Sequence, residues 1–89
     1  MLVMTSYNDY IELIYSIRDK QLLEDFLMGI TTPKERHELA QRVEIVTRLL
    51  EGQPQSKIAK DLSVGIATVT RGSKELQAGH FKVLRKSND

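Results

Sequence analysis

Residues 56–71 restrict the fold of this chain more than any other segment. They read SKIAKDLSVGIATVTR, two short amphipathic runs on either side of a turn at residues 63–65. Ala59 is small at the point where two helices would approach closely. Four larger apolar residues are spaced to fill the corner between those helices: Ile58, Leu62, Val64 and Val69. The segment predicts a helix-turn-helix unit, with an ordinary helical hairpin as the alternative.

The second helix of this unit, predicted from Ile66 to about Ala78, has the composition of a recognition helix. Thr68, Thr70 and Arg71 keep one side polar and basic, while apolar residues would fix the angle of the helix. A helix of this kind can enter the major groove of DNA. The residue before it, a glycine, is the predicted N-cap, and the free backbone amides that follow can face a phosphate group.

The first 31 residues predict two further helices. From Tyr7 onwards, apolar side chains recur at spacings of three and four residues. Asp19 falls at a break in this pattern and can cap the second helix, and Gly29 is the predicted end of that helix. The apolar residues cover a wide sector of the helix surface, which is typical of helices that contact several neighbours.

A longer third helix is predicted for residues 32–52. Its start, TPKE, combines a threonine N-cap, a proline in the first turn and a glutamate that can complete a capping box, and Gly52 ends it. Residues 54–79 then hold the helix-turn-helix, and residues 80–89 a short C-terminal end. We expect a single all-α domain of five to six short helices.

Composition narrows the class of protein. The chain has 89 residues, enough for one domain, and it has no cysteine, which excludes disulfides and thiolate metal sites. Residues 1–38 hold four Lys/Arg against seven Asp/Glu, whereas residues 39–89 hold nine against five. A basic C-terminal part favours a polyanionic partner at that end. Because we find no membrane-spanning apolar run and no secretory signal, we expect a cytoplasmic protein without a membrane partner.

The sequence gives no sign of enzymatic chemistry. His37 and His80 are far apart and have no recognisable acid, nucleophile or metal-ligand arrangement around them. Glu35 and Glu38 are interpreted as charges at a helix start. There is no phosphate loop and no dinucleotide fingerprint. We therefore expect no catalytic residue, no bound metal and no cofactor.

Two blocks of the sequence closely resemble the tryptophan repressor family. GIATVTRGS, from Gly65, is similar to that family's recognition-helix signature, and LAQRVEIVTRLLEG, from Leu39, to its third helix. The resemblance covers roughly residues 32–78. It implies an intertwined homodimer in which residues 1–31 are dimerisation helices. Two helix-turn-helix heads would then meet a near-palindromic duplex operator about one DNA turn apart, roughly 34 Å.

The resemblance also implies a pocket for an amino-acid corepressor, L-tryptophan or a related amino acid. Gly72 is unusual in itself, because glycine inside a helix costs about 1 kcal/mol relative to alanine, and its missing side chain can be the wall of a cavity. Arg42 and Arg71 match the two arginines that flank the ligand, with Arg71 on its carboxylate. Thr32 matches a threonine that lines the pocket. Gly72 leaves room for the indole ring, and binding would set the angle of the recognition helices.

Glu75 departs from the family pattern, which has a serine there. It lies four residues after Arg71, so the two can form an ion pair along the helix. We interpret Glu75 as a ligand-site residue with three possible effects. It can neutralise Arg71, repel the carboxylate of the ligand, or bind the ammonium group of the ligand.

The resemblance assigns a DNA-contacting surface as well. The predicted contacts to bases or phosphates are Lys57, Lys60, Ile66, Ala67, Thr68, Thr70, Ser73 and Lys74. The family's basic positions on the first helix of the motif align with Ser56 and Ala59, so the two lysines of that helix lie one step away. The operator therefore need not be the family's usual one. The alternative for Lys57, Lys60 and Lys74 is that they belong to a solvated helix surface and contact no phosphate group.

The main prediction is a homodimeric transcriptional repressor that binds duplex DNA under the control of an amino-acid corepressor. A ligand-independent helix-turn-helix DNA-binding protein is one alternative, which substitution of Arg42 would distinguish. A helical interaction module that never binds DNA is the other, and salt-sensitive binding to duplex DNA would distinguish it.

Overall fold

The computed structural model describes residues 6–85, and all regular structure in that range is helical. Five α-helices follow one another: α1 (Tyr7–Ser16), α2 (Lys20–Ile30), α3 (Pro33–Leu50), α4 (Gln55–Leu62) and α5 (Ile66–Gln77). A short 3₁₀ turn occupies Lys82–Leu84. The all-α prediction is confirmed. The chain divides after Arg36 into two compact units, so its organisation as one domain stays a prediction.

The first unit begins with two capped helices. The Ser6 hydroxyl accepts the Asp9 N–H at the start of α1, over 3.2 Å. At the start of α2, the Asp19 carboxylate accepts the Leu22 N–H over 3.2 Å, which confirms Asp19 as a cap. None of the residues in α1 and α2 is buried. These helices therefore leave much of their apolar surface exposed.

The predicted end of α2 at Gly29 is wrong. The helix continues through Gly29 to Ile30, and Thr31 is its C-cap with an extended backbone. The Thr31 N–H and hydroxyl group both donate to the Leu27 carbonyl oxygen. Pro33, two residues later, also disfavours helical geometry in the residue before it. The extended backbone of Thr31 and the restraint from Pro33 end the helix without a left-handed glycine.

The third helix begins and ends as its sequence predicts. The Thr32 hydroxyl accepts the Glu35 N–H over 3.1 Å, and the Glu35 carboxylate accepts the Thr32 N–H over 2.8 Å. This reciprocal pair is a capping box. After the last turn of α3, Gly52 has a φ of +87°, and the N–H of the following residue donates to the Arg48 carbonyl oxygen over 3.1 Å. That left-handed glycine closes the helix.

The second unit is built around the helix-turn-helix formed by α4 and α5. Ile45 of α3, Ile58 of α4 and Val69 of α5 are buried together. Four partly buried apolar residues pack against them: Leu49, Ala59, Leu62 and Val64. The predicted corner packing is therefore confirmed. Ser63 closes α4 in the left-handed region, with a φ of 55°.

After α5 the backbone turns sharply. Ala78 caps the helix, Gly79 has a φ of +96° and Phe81 a φ of +65°. The Arg85 guanidinium donates to the Leu76 carbonyl oxygen. The segment is thereby held against the end of α5, and the 3₁₀ turn at Lys82–Leu84 lies within the predicted short C-terminal end of residues 80–89. The part of that expectation that concerns residues 86–89 lies outside the described residues.

Candidate ligand pocket and nucleic-acid interface

A cavity of about 300 Å³ lies between α3, α5 and the turn that follows α5. Its lining is formed by Arg42, Ile45, Val46, Thr68, Arg71, Gly72, Glu75, His80 and Phe81. The helical repeat explains this grouping, because residues three and four apart share one face of a helix. One face of α3 and one face of α5 therefore line the same space. Apolar side chains supply part of the wall, and charged side chains supply the rest.

Two arginines from different helices, Arg42 of α3 and Arg71 of α5, both line this cavity. Arg42 and Arg71 are both exposed. Within residues 6–85, neither guanidinium forms a hydrogen bond or an ion pair with the protein. Their charges and donor groups are therefore available to an anionic group in the cavity, and a guanidinium can hold a carboxylate through two parallel bonds.

Gly72 lines the cavity and also brings α3 and α5 together. A Cβ atom added there would lie 3.2 Å from Ile45 Cγ2, and 3.6 Å from Leu49 Cδ1 and from Val46 Cγ2. A carbon at 3.2 Å is inside normal van der Waals contact, which is about 3.5–4.0 Å. Glycine at this position therefore permits the close approach of the two helices in addition to leaving space beside them.

Glu75 pairs with a residue that sequence reasoning did not select. The His80 Nδ1 and Glu75 Oε1 atoms are 2.7 Å apart. Among the described residues there is no ion pair between Glu75 and Arg71, although their spacing allows one. From the sequence alone, we interpreted His80 as an isolated histidine. Gly79 was the available signal, because a left-handed glycine after a helix turns the chain back on it.

Thr32 is the remaining predicted ligand residue, and it belongs to the first unit. Its hydroxyl group caps α3 and its N–H binds Glu35, so the capping box occupies the polar groups of this residue. Its predicted contact with the ligand stays a prediction.

The predicted DNA-contacting residues lie on α4 and α5, and most of their side chains are exposed to solvent. Those with exposed side chains are Lys57, Lys60, Ile66, Ala67, Thr68 and Lys74, while Ser73 and Thr70 are partly buried. The Thr70 hydroxyl donates to Gln55 Oε1 over 2.8 Å. Thr70 therefore links the start of α4 to α5, which fixes the geometry of the motif. Thr68 also lines the cavity between α3 and α5.

An ion cluster joins α3 to α4 beside this surface. Lys57 Nζ lies 2.5 Å from Asp61 Oδ2, and Arg48 lies 3.6 Å from the same oxygen atom. The hydrogen bond from Lys57 lowers the pKa of Asp61, and the nearby positive charges act in the same direction. The hydrogen bond to Glu44, at 2.7 Å, raises the pKa of Arg48. Lys57 is therefore already paired with a carboxylate in the free protein.

The fold and the site together define a helix-turn-helix protein with a cavity behind the second helix of the motif. The family model described as Trp repressor protein matches residues 5–85. The chain belongs to the Trp repressor family, a family of transcriptional repressors and not of enzymes.

Three relatives illustrate the similarity, and each is named Trp operon repressor homolog. The protein from Vibrio campbellii is 46% identical over 76 residues, which cover 81% of this chain and 76% of the relative. The one from Vibrio cholerae is 39% identical over 75 residues, covering 83% and 73%. The one from Actinobacillus succinogenes is 36% identical over 75 residues, covering 83% and 74%. No helix within residues 6–85 is long and apolar enough to cross a membrane.

Proposed function

We propose that this protein is a homodimeric transcriptional repressor that binds duplex operator DNA, with L-tryptophan or a closely related amino acid as its corepressor. One observation carries the proposal. Arg42 and Arg71 have no partner within residues 6–85 and line one cavity, next to Gly72. Family membership gives the regulatory class, and the names of the relatives point to the same amino acid. Because its target is operator DNA, we propose that the protein acts in the cytoplasm.

The chemistry of the cavity suits an amino acid with an apolar side chain. The two guanidinium groups can bind the carboxylate, and Ile45, Val46 and Phe81 can contact an aromatic ring. A volume of about 300 Å³ is at the lower end of the range for small-ligand sites, about 300–1,000 Å³. We assign Arg71 to the carboxylate, Arg42 to the opposite side of the ligand, and Thr32 to the edge of the site.

For DNA binding we assign the eight predicted contacts of α4 and α5. Ile66 and Ala67 begin α5 and are exposed, so they suit contact with base edges. Lys60 and Lys74 are exposed cations that suit phosphate groups. Lys57 would exchange Asp61 for a phosphate. Its contribution to binding is therefore expected to be smaller than that of a free lysine.

Dimerisation follows from the exposed apolar side chains of α1 and α2. Tyr7 and Tyr15 are each 76% exposed, and Leu22 is 63% exposed. Large apolar side chains that are exposed to this extent on two neighbouring helices are a feature of proteins that associate through those helices. We propose a second copy of the chain as the partner, since a two-fold dimer would also pair two motifs for a near-palindromic operator.

Selection of duplexes from a random pool, with L-tryptophan present, tests the proposal. The selected duplex should bind wild-type protein more tightly with L-tryptophan than without it, in fluorescence anisotropy. The R42A variant should lose this response while keeping the wild-type circular dichroism spectrum. R18A is the matched control, because Arg18 lies between α1 and α2 and is not part of the cavity lining. An unchanged response in R42A would reject the assigned pocket.

A ligand-independent DNA-binding regulator is the second candidate. It is favoured by one observation, the Glu75 carboxylate on the wall of the cavity. That regulator would bind its selected duplex equally well with and without L-tryptophan, and R42A would bind as the wild-type protein does. Both candidates predict that affinity falls as salt concentration rises, because phosphate contacts release counterions.

A further inference from the structure

We propose that His80 is a positioning residue of the cavity. By pairing with Glu75, His80 keeps that carboxylate away from Arg71 and leaves the Arg71 guanidinium available to the carboxylate of an effector. Through its ligand measurement the inference rests on the proposed function. A second measurement, on the protein alone, keeps the two separable.

Competition for Arg71 is built into α5. Glu75 lies four residues after Arg71, the spacing at which a carboxylate and a guanidinium meet on a helix surface. A Glu75–Arg71 pair would place a protein carboxylate where the ligand carboxylate must bind. In the structure Glu75 instead binds His80, with Nδ1 and Oε1 2.7 Å apart.

The position of the imidazole is fixed by the backbone around it. The His80 N–H donates to the Glu75 carbonyl oxygen over 3.0 Å, so both residues of the pair are tied by main chain as well as by side chain. Arg85 donates to the carbonyl oxygens of Leu76 and His80, and Lys82 Nζ donates to that of Gly79 over 3.0 Å. The turn that carries His80 is therefore fastened to the same end of α5 that carries Glu75.

The charges that line the cavity indicate the effect of the Glu75–His80 pair. Its charged or titratable lining residues are Arg42, Arg71, Glu75 and His80. With Glu75 held by the imidazole, both guanidinium groups remain unpaired within residues 6–85. The bond requires a proton on Nδ1, which the imidazolium ion and one neutral tautomer both supply. The cavity thus keeps two cationic donors for a single anionic group.

A double-mutant cycle tests whether His80 acts through Glu75. L-tryptophan binding is measured by calorimetry in the wild-type protein and in H80A, E75Q and H80A/E75Q. We expect H80A to weaken binding by about two- to fivefold, the effect of a competing exposed ion pair. In the E75Q background the same substitution should have no effect. H80N should restore binding, because its amide group can donate in place of Nδ1. H37A is the matched control, since His37 is exposed on α3 and outside the cavity lining.

Nuclear magnetic resonance of the arginine side chains tests the same idea without ligand. In H80A, the Arg71 Nε–H signal should shift and its exchange with water should slow, because Glu75 turns to Arg71. In H80A/E75Q the signal should return to its wild-type position. If wild-type protein binds no L-tryptophan but Arg71 responds as described, the proposed function fails and the inference stands. An unshifted Arg71 signal in H80A, or equal weakening by H80A with and without Glu75, overturns the inference.

Discussion

Gly72 shows how one residue can serve both the fold and the site. It belongs to the lining of the cavity, and its missing side chain lets α5 pack closely against Ile45 and Val46 of α3. A glycine in mid-helix lowers helix stability by about 1 kcal/mol relative to alanine. The close approach of the two helices explains why that cost is tolerated here.

The G72A variant separates these two roles. The added methyl group gains helix propensity but presses on Ile45 Cγ2, so we expect the free energy of unfolding to change by no more than about 1 kcal/mol. L-tryptophan affinity should fall by at least about tenfold, because the methyl group disturbs α3 at the cavity. Denaturant unfolding and calorimetry measure the two effects.

The matched control for this variant is G65A. Gly65 precedes α5, and apart from its immediate chain neighbours no residue comes within 4 Å of a Cβ placed there. Its ligand affinity should equal that of the wild-type protein. If G72A bound L-tryptophan normally, Gly72 would be a packing residue alone.

At this scale the sequence indicated the two arginines, Gly72 and Glu75, but it did not indicate that His80 and Phe81 line the same cavity. Arg71 and Gly72 are adjacent on one helix, and Arg42 came with a family resemblance. His80 and Phe81 reach the cavity only because Gly79 and Phe81 adopt left-handed backbone angles. Nothing in helical periodicity encodes such a turn, since periodicity describes regular elements only.

The helix-turn-helix supplies two of the three residues that are buried together in the second unit. Ile58 and Val69 are fully buried in its corner, each with 0% exposure. Ser63, in the turn, carries a side chain at a φ of 55°. A residue other than glycine pays about 1 kcal/mol or more in that region.

We expect S63G to stabilise the protein by about 0.5–1 kcal/mol, because glycine adopts a positive φ without steric cost but loses more entropy on folding. Urea unfolding at neutral pH would measure the change. S56G is the matched control, since Ser56 lies in helix α4 and glycine there should lower stability. A loss of stability in S63G would contradict this account of the turn.

The ion cluster between α3 and α4 predicts a pH dependence. Lys57 and Arg48 lower the pKa of Asp61 below its ordinary value of 3.8. Such a group contributes stability that is fully present above its unfolded pKa and is lost as pH falls through its folded pKa. D61N should therefore be less stable than wild-type protein at neutral pH, and the difference should disappear at a pH well below 3.8.

Thermal unfolding from neutral pH down to acid pH would measure this difference for D61N. D25N is the matched control, because Asp25 is exposed on α2 and has no ion pair among the described residues. A difference between D61N and wild-type protein that persisted unchanged in acid would mean that the Asp61 charge is not its source.

Helix starts followed from local chemistry more reliably than helix ends. The Thr32–Glu35 capping box and the Asp19 cap are side-chain effects that a sequence displays directly. The end of α2 was misplaced because the signal used, Gly29, is only permissive of a stop. The actual stop is the extended backbone of Thr31, whose carbonyl oxygen accepts a hydrogen bond from the Arg36 guanidinium of α3.

At the scale of the whole molecule, the proposed homodimer would cover the exposed apolar side chains of α1 and α2. Sedimentation should find a particle with twice the mass of one chain. L22E should dissociate it, because Leu22 is 63% exposed and a charge would then have to be buried at the interface. Q21E adds the same charge at the neighbouring exposed position of α2 and should leave the dimer intact. A wild-type monomer at micromolar concentration would contradict the assignment.

The most direct test of the central claim is calorimetric titration of L-tryptophan into the purified protein. The chain has no tryptophan of its own, so indole fluorescence reports the ligand in parallel. We predict saturable binding at about one site per chain for the wild-type protein and none for R42A with the same fold. An absence of binding to folded wild-type protein, or equal binding by R42A, would contradict the claim that this cavity is a corepressor site.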